Sequence, residues 1–503
     1  VAVGGEAAVK PFLDRGAVKV DLGGRFVVPG IGDDHFHGAG GGPGVALADV
    51  RSMAELIGAL KVAAEKAPPG ALIVSNSDWH EAQLAEQRKP VIADLDKAST
   101  TVPIVVVRGG HSIFLNTPAL AKFGVSLATP VPAGGSIERD VKGQLTGELV
   151  DTAKALVPLP KESPLNEQDL IDTQREMNAH GVTSVRVPGT FRKGAVTDLY
   201  PLAQRMGADG KLSLRYTLLR RGPGFAGGTL EELRSGPQQG EGDAWARVDG
   251  VKLMVDGGFE GAHFFDPYAE PYGKGGTFHG IAVVPPEKTM ADVRALHQLG
   301  WRVAMHAAGD AGIEQALKAF EAAAKDKPIT GDRWSLEHAF VVKPDQIQRI
   351  KTLGVALSVQ DHLYLAAPSM EAFWGRARAE HVTPVKSYRD AGILVAGGTD
   401  SPVVPSNPFW AMYHFASRDT ISAGVYGYDE HIASRKALVD MFTINYAKLV
   451  GTDQELGSIA AGKRADFAVL DTNLLTASAT ELRDTKAVAT YIDGREVYSS
   501  DRR

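Results

Sequence analysis

The sequence predicts an α/β fold, a (β/α)8 TIM-like barrel with a small β-sandwich domain built from both termini and a large insertion after the first barrel strand. Three observations carry this. From Gln174 onward, short β-branched runs alternate with helix-like stretches. The strand candidates total eight, the number that closes such a barrel. The gap between the first and second of them, Gly38 to Thr173, is far longer than an ordinary βα connection.

In chain order the strands are Phe26 to Ile31, leading into Asp33, then Thr183 to Val187, Leu214 to Leu219, Val248 to Val255, Arg302 to His306, Trp334 to His338, Ala356 to Gln360 and Leu394 to Gly398. Helices between them carry apolar residues at helical spacing, such as Met290, Val293 and Leu296, or Ile313, Leu317 and Phe320. The insertion has a helix pattern, Met53 to Ala64, and two strand-like runs, Ala71 to Ser75 and Pro103 to Val107. It therefore reads as an ordered α/β unit overhanging the barrel's C-terminal mouth. Strand-like runs at the two ends, Ala17 to Leu22, Ala465 to Leu470 and Ala487 to Val497 with its Asp493-Gly494 turn, fit no βα unit and read as the small β-domain. The expected boundaries are 1–28 and 451–503 for that domain, 29–37 and 174–450 for the barrel, and 38–173 for the insertion. The brief Gly38 to Gly44 run is not a phosphate-cradling loop, because Pro43 stands where the third glycine belongs.

The 503 residues suit one large barrel with additions, and 44% hydrophobic with 23% charged residues is ordinary globular composition. With 54 Lys and Arg against 60 Asp and Glu the net charge is −6, which lacks the basic surplus of a nucleic-acid binder. A small molecule is the expected partner, with a homo-oligomer compatible. No cysteine is present, which excludes disulfides, thiolate nucleophiles, cysteine zinc sites and iron–sulfur clusters, and leaves His, Asp, Glu and Lys as metal ligands. No apolar run approaches the roughly 18 residues of a membrane span. The chain opens at Val1 without an initiator Met or a leader pattern. The expectation is a processed or shortened terminus, with a cytoplasmic location favoured.

The first strand ends in Asp33-Asp34-His35-Phe36-His37. Residues two apart on a strand face the same side, so His35 and His37 can address one metal ion; alone they are equally two polar histidines at a strand end. Lys252, His306, His338 and Asp400 each fall on or just after the fourth, fifth, sixth and eighth predicted strands. Catalytic groups of such barrels come from the C-terminal ends of several strands, which is this arrangement. Asp256 reads as a turn residue or one that orients a ligand. Ser401-Pro402 after Asp400 reads as a tight turn with Pro in the first turn of the next helix.

Other residues carry two readings each. His362, after the seventh strand, either steadies a substrate or is an exposed loop residue. Trp79 and His80 either line a pocket or pack. His111 either hydrogen-bonds a substrate at the mouth or caps the strand before it. Trp79, Phe114, Phe259, Phe264, Phe265 and Tyr364 suggest a hydrophobic substrate. His180, His263, His279, His297, His381, His414 and His431 receive no role.

The motifs together resemble those of the amidohydrolase superfamily, in its long-insertion branch known as YtcJ-like or amidohydrolase family 3, over nearly the whole chain. They are Val28-Pro29-Gly30 before His35 and His37, Gly181-Val182-Thr183-Ser184, Val251-Lys252-Leu253 with Asp256-Gly257, Met305-His306-Ala307-Ala308-Gly309-Asp310, Glu337-His338-Ala339, Thr399-Asp400-Ser401-Pro402, and Gly457-Ser458-Ile459 with Gly462-Lys463-Arg464-Ala465-Asp466. The resemblance implies two divalent metal ions, zinc being expected, that share a lysine carboxylated by carbon dioxide and a bridging hydroxide. It places that lysine at Lys252, one ion on His35, His37 and Asp400, and the other on His306 and His338. Asp400 is then also the group that takes the proton of the attacking water. A buried lysine is pushed toward its neutral form, and a neutral amine can add carbon dioxide.

The insertion resembles the family less closely, through Leu95-Asp96, His111, Asn116, Ala119-Leu120 and the stretch from Gly134-Gly135 to Gly147-Glu148. Gly109 stands where relatives carry an aspartate, which leaves that acid's substrate contact without a counterpart. The implied activity is metal-dependent hydrolysis of a carbon–nitrogen bond other than a peptide bond, in an amide or N-acyl compound. A lactonase or esterase would use the same binuclear site, and a deaminase typically uses one metal without the lysine. A non-catalytic binding protein is expected to have lost ligands, whereas all six are present.

Overall fold

Eight parallel strands follow one another around the barrel in chain order: β1 (Ile31–Asp33), β2 (Val182–Val187), β3 (Arg215–Arg221), β4 (Ala246–Met254), β5 (Val303–Ala307), β6 (Ser335–His338), β7 (Ala356–Val359) and β8 (Val395–Gly397). The computed structural model describes residues 3–38, 44–77, 79–108, 112–132, 135–159, 165–189, 195–225 and 228–501. The edge strands meet through main-chain bonds: Asp34 N–H donates to Gly397 O at 3.2 Å and Asp400 N–H to His35 O at 2.7 Å. Those bonds close the ring and set the end of β1 beside the end of β8. The strands are buried almost throughout, as expected where helices cover a parallel sheet. Helix Asp310–Asp326 buries Ile313, Leu317 and Phe320, the spacing read from sequence; helix Pro286–Gln298 buries Val293 and Leu296.

The first strand differs from expectation. Phe26 to Ile31 is not one barrel strand: Phe26–Pro29 pairs antiparallel with Phe467–Leu470, and only Ile31–Asp33 enters the barrel. The switch occurs at Gly30, whose N–H goes to Asp466 O at 2.9 Å. A side chain there would meet Thr183 Oγ1 at 2.1 Å, so glycine is what lets the chain cross between sheets.

Phe26–Pro29, Phe467–Leu470, Ala487–Ile492 and Arg495–Ser499 form a four-stranded antiparallel sheet. Its last hairpin turns at Asp493-Gly494, both with positive φ, as a two-residue turn requires. Ala17 to Leu22 is not a strand. A helix, Glu6–Leu13, precedes it with no buried residue, and Val18 is 88% exposed, whereas Leu22 at the end of the run is half-buried against Val469, Ala489 and Tyr491 of the sheet without pairing into it.

In the insertion, helix Met53–Glu65 is present, and the two expected strands are Ile73–Val74 and Ile104–Arg108. Three further strands, Ser112–Leu115, Gly135–Arg139 and Leu145–Asp151, complete a five-stranded sheet. Among the described residues no helix is long and apolar enough to cross a membrane.

Candidate functional site

The C-terminal ends of β1, β4, β5, β6 and β8 deliver His35, His37, Lys252, His306, His338 and Asp400 to the wall of one cavity of about 290 Å³. His338 and Asp400 leave their strands with φ of 74° and 60°, a left-handed conformation that costs a residue other than glycine about 1 kcal/mol or more. Such strain is tolerated where the surrounding structure dictates where a side chain must point. Gly398, two residues before Asp400, allows the close passage past β1. A Cβ there would lie 2.5 Å from Asp34 Oδ1 and 2.6 Å from His35 N.

Each imidazole has one nitrogen committed to an acceptor, which turns the other toward the cavity. His35 Nδ1 bonds Glu337 Oε2 at 2.7 Å, and Glu337 in turn accepts from Arg186 at 2.9 and 3.1 Å. His338 Nδ1 bonds Gln360 Oε1 at 2.6 Å. Gln360 Nε2 reaches Ser358 Oγ at 2.9 Å, and that hydroxyl donates to Asp34 Oδ1 at 3.0 Å. His37 Nδ1 bonds Gly189 O, and His306 spends Nε2 on Gly257 O at 3.1 Å. The other nitrogens of His35 and His37 meet at Asp400 Oδ1. His35 Nε2 lies 3.3 Å from Lys252 Nζ and 3.6 Å from Asp400 Oδ1, and His37 Nε2 lies 3.2 Å from the same oxygen. The His338 ring sits 4.6 Å from both His35 and His306, between the two halves of the cluster.

Burial sets the charge states. It lowers His35 to about 3 and His306 to about 4, and holds His338 well below its ordinary range, so these imidazoles are neutral. Burial brings Lys252 down to about 8 against the pull of Glu337 and Asp400. Burial alone would raise Asp400, but His35, His362 and His37 outweigh it and keep the carboxylate ionised, well below the usual range. Neutral imidazoles, a carboxylate and an amine near its neutral form are the donors a divalent ion takes.

Two observations test the fit. Donor atoms of His35, His338 and Asp400 lie within 4.8 Å of one another, and buried Asp400 Oδ1 makes no well-formed hydrogen bond although imidazole nitrogens stand beside it. An acceptor buried without a donor is costly unless a cation meets it, so the residues fit a divalent metal.

A sequence profile of the Amidohydrolase family matches residues 19–498. The chain belongs to that family. Protein LONG AFTER FAR-RED 3 of Arabidopsis thaliana is 30% identical over 516 residues, 99% of this chain and 86% of that protein. N-substituted formamide deformylase of Arthrobacter pascens is 29% identical over 98% of this chain and 92% of its own. The crystal structure of an uncharacterized metal-dependent hydrolase from Pyrococcus horikoshii OT3 superposes with a TM-score of 0.68 at 24% identity, over 94% of this chain and 92% of that one, which shows the shared barrel fold. Membership in the Amidohydrolase family supports a hydrolase.

The other expected residues are placed as follows. His362 begins helix His362–Trp374 and is buried, not an exposed loop residue; its Nε2 lies 2.8 Å from Asp400 Oδ2. Asp256 anchors the loop after β5, accepting from Ala308 N at 2.9 Å and Gly309 N at 2.8 Å. Trp79 and His80 line the cavity; Trp79 Nε1 donates to Val107 O at 2.7 Å. His111 and Gly109 lie outside the described residues, as does most of the Gly38 to Gly44 run.

Four of the six suggested aromatics are elsewhere. Phe114 packs in the insertion, Phe264 on Trp374 and Tyr364 on Trp410, while Phe265 is 48% exposed. Phe225 and Phe340 line the cavity in their place. Pro402 is not in a helix: the next one, Pro408–Ser417, starts later behind an Asn407 cap. Of the histidines given no role, His297 and His414 are buried, bonded to Lys327 O and Asp419 O, outside the cavity wall.

Sequence reasoning missed Glu337, Arg186, Gln360, Arg108 and Glu260. An acid inside an apolar barrel strand needs a partner, and that signal flags Glu337 together with Asp33 and Asp249. Glu337→Gln is expected to weaken metal binding by about 10- to 100-fold, as loss of a ligand-orienting carboxylate does. It also leaves buried Arg186 without its counter-charge, at roughly 3 kcal/mol of stability. Arg186 and His35 hold Glu337 well below its ordinary 4.5 despite burial. Its stabilising contribution is therefore present above 4.5 and lost as the pH falls below it, so the gap between the variant and the wild type should close in acid. Metal titration and urea unfolding across pH check both expectations.

Proposed function

We propose that the chain hydrolyses a carbon–nitrogen bond of an amide or N-acyl compound, using two divalent ions, with zinc expected. His35, His37 and Asp400 would hold one ion, and His306 and His338 the other, with Lys252 carboxylated between them. Such ions, when bound, polarise a carbonyl and make water acidic enough to supply a nucleophile near neutral pH. The observation that carries the reading is the meeting of four imidazoles with a buried lysine and the unsatisfied Asp400 Oδ1 at the mouth of one barrel.

Asp400 serves as base. Its Oδ2, 2.8 Å from His362 Nε2, takes a proton from water and returns it to the departing amine, and His362 fixes the carboxylate in place. Trp79, Phe225, Phe259 and Phe340 give the cavity an apolar wall that suits an aryl or alkyl substituent and excludes water from the reacting carbonyl. On the same reading, 29–37 and 174–450 are the catalytic barrel, 38–173 is the insertion that roofs it, and 1–28 with 451–503 is the small β-domain.

The formamide deformylase relative makes N-substituted formamides the first compounds to try. Metal-loaded protein screened against N-benzyl formamide, N-acyl amino acids, anilides and lactones should turn over a formamide or amide, lose that activity to a chelator and regain it with zinc. Turnover of lactones alone would overturn the carbon–nitrogen assignment.

A further inference from the structure

Arg108, the last residue of strand Ile104–Arg108 in the insertion, reaches the cavity wall and is 7% exposed. Each of its guanidinium nitrogens is engaged. Nε donates to Glu81 Oε2 at 2.8 Å, Nη2 to Glu81 Oε1 at 2.8 Å and His80 Nε2 at 2.7 Å, and Nη1 to Glu260 Oε1 at 3.0 Å. Glu81 and His80 belong to the insertion, whereas Glu260 lies on the segment after β4, the strand that carries Lys252. The guanidinium thus ties the roof to the catalytic barrel.

The charge count at this wall is unusual for a site with an arginine. One guanidinium stands between two carboxylates, which leaves one negative charge in excess. Glu260, whose side chain is one-third exposed, lines the cavity itself. Among the described residues on the wall, Arg108 and Lys252 are the cationic side chains, and Lys252 lies within the metal cluster. A carboxylate on the outer end of a substrate would lose water, find a guanidinium already paired and face Glu260.

We propose that the Glu81–Arg108–Glu260 clamp is a charge filter: the cavity accepts substrates whose outer end is an uncharged aryl group or carries an ammonium, and turns away those bearing a carboxylate there. This rests on the hydrolase reading for the location of the site and adds the class of molecule it admits.

The test uses three N-(4-substituted benzyl)formamides, with methyl, aminomethyl or carboxylate at the ring position farthest from the formyl group. Each is titrated calorimetrically into the metal-loaded protein and assayed for turnover. The carboxylate compound should bind about tenfold or more weakly than the methyl compound, because like charges are brought together, and the aminomethyl compound should bind at least as well as the methyl one. Glu260→Gln should narrow the carboxylate-to-methyl ratio to about threefold or less, and raising the salt concentration should narrow it in the unaltered protein. Equal affinity for the methyl and carboxylate compounds, a ratio indifferent to both Glu260→Gln and salt, or no binding of any of the three overturns the filter. Binding in the expected order without turnover supports the filter and overturns the carbon–nitrogen hydrolysis reading instead.

Discussion

His338→Ala is expected to abolish measurable turnover and to strip most of the bound metal while the barrel stays folded. The His338 ring lies 4.6 Å from both His35 and His306, so no other imidazole of the cluster can reach both halves in its place. Its removal also leaves buried Gln360 Oε1 without its 2.6 Å partner, at about 1–3 kcal/mol. The core of strands and helices that defines the barrel does not include that side chain, so the far-ultraviolet circular dichroism should be preserved. Full metal occupancy in the folded variant would show that His338 is not a ligand.

Asp400→Asn should lower kcat by about 10² or more, the scale of a lost general base, while keeping much of the metal. The amide retains an oxygen for the ion but cannot accept a proton. Because the three histidines outweigh burial and hold Asp400 well below the usual carboxylate range, its carboxylate is ionised throughout neutral pH. Wild-type activity should therefore hold a plateau from neutral to alkaline pH with no carboxylate inflection, and any loss on acidification must come from another group. A variant with normal metal content and near-normal kcat would remove Asp400 from proton transfer and leave His362 or His111 to supply it.

The barrel was readable because its strands are short β-branched runs whose ends carry the chemistry. His35, His37, Lys252, His306, His338 and Asp400 lie on or just past five strand ends, and all line one cavity. The sheet switch at Gly30 was not readable. Phe26 to Ile31 is one continuous apolar run, and only the main-chain bond from Gly30 to Asp466, far along the chain, divides it. Ala17 to Leu22 has strand-like composition, but Val18 and Val20 stand exposed and Leu22 is the residue that packs on the sheet, and burial rather than propensity decides such segments.

The residues that orient the clustered histidines were hidden for a related reason. Glu337 adjoins His338 in sequence, yet it serves His35, 302 positions away, and Arg108 matters through Glu260, 152 positions away. Pairings of that range follow from barrel closure and from the insertion folding back over the mouth, which no local pattern encodes. Aromatic residues were read as a class, but which of them reach the cavity depends on the loops: Phe225 and Phe340 do, and Phe264 and Tyr364 do not.

The proposal of two ions bridged by a carboxylated Lys252 is tested most directly by metal analysis of the protein as purified, combined with native mass spectrometry and with carbon-13 NMR after exposure to labelled bicarbonate. The result expected is about two divalent ions per chain, with one labelled carboxyl group that disappears in Lys252→Ala. One ion per chain with an unmodified Lys252 would contradict the account and point to a mononuclear site of the deaminase kind.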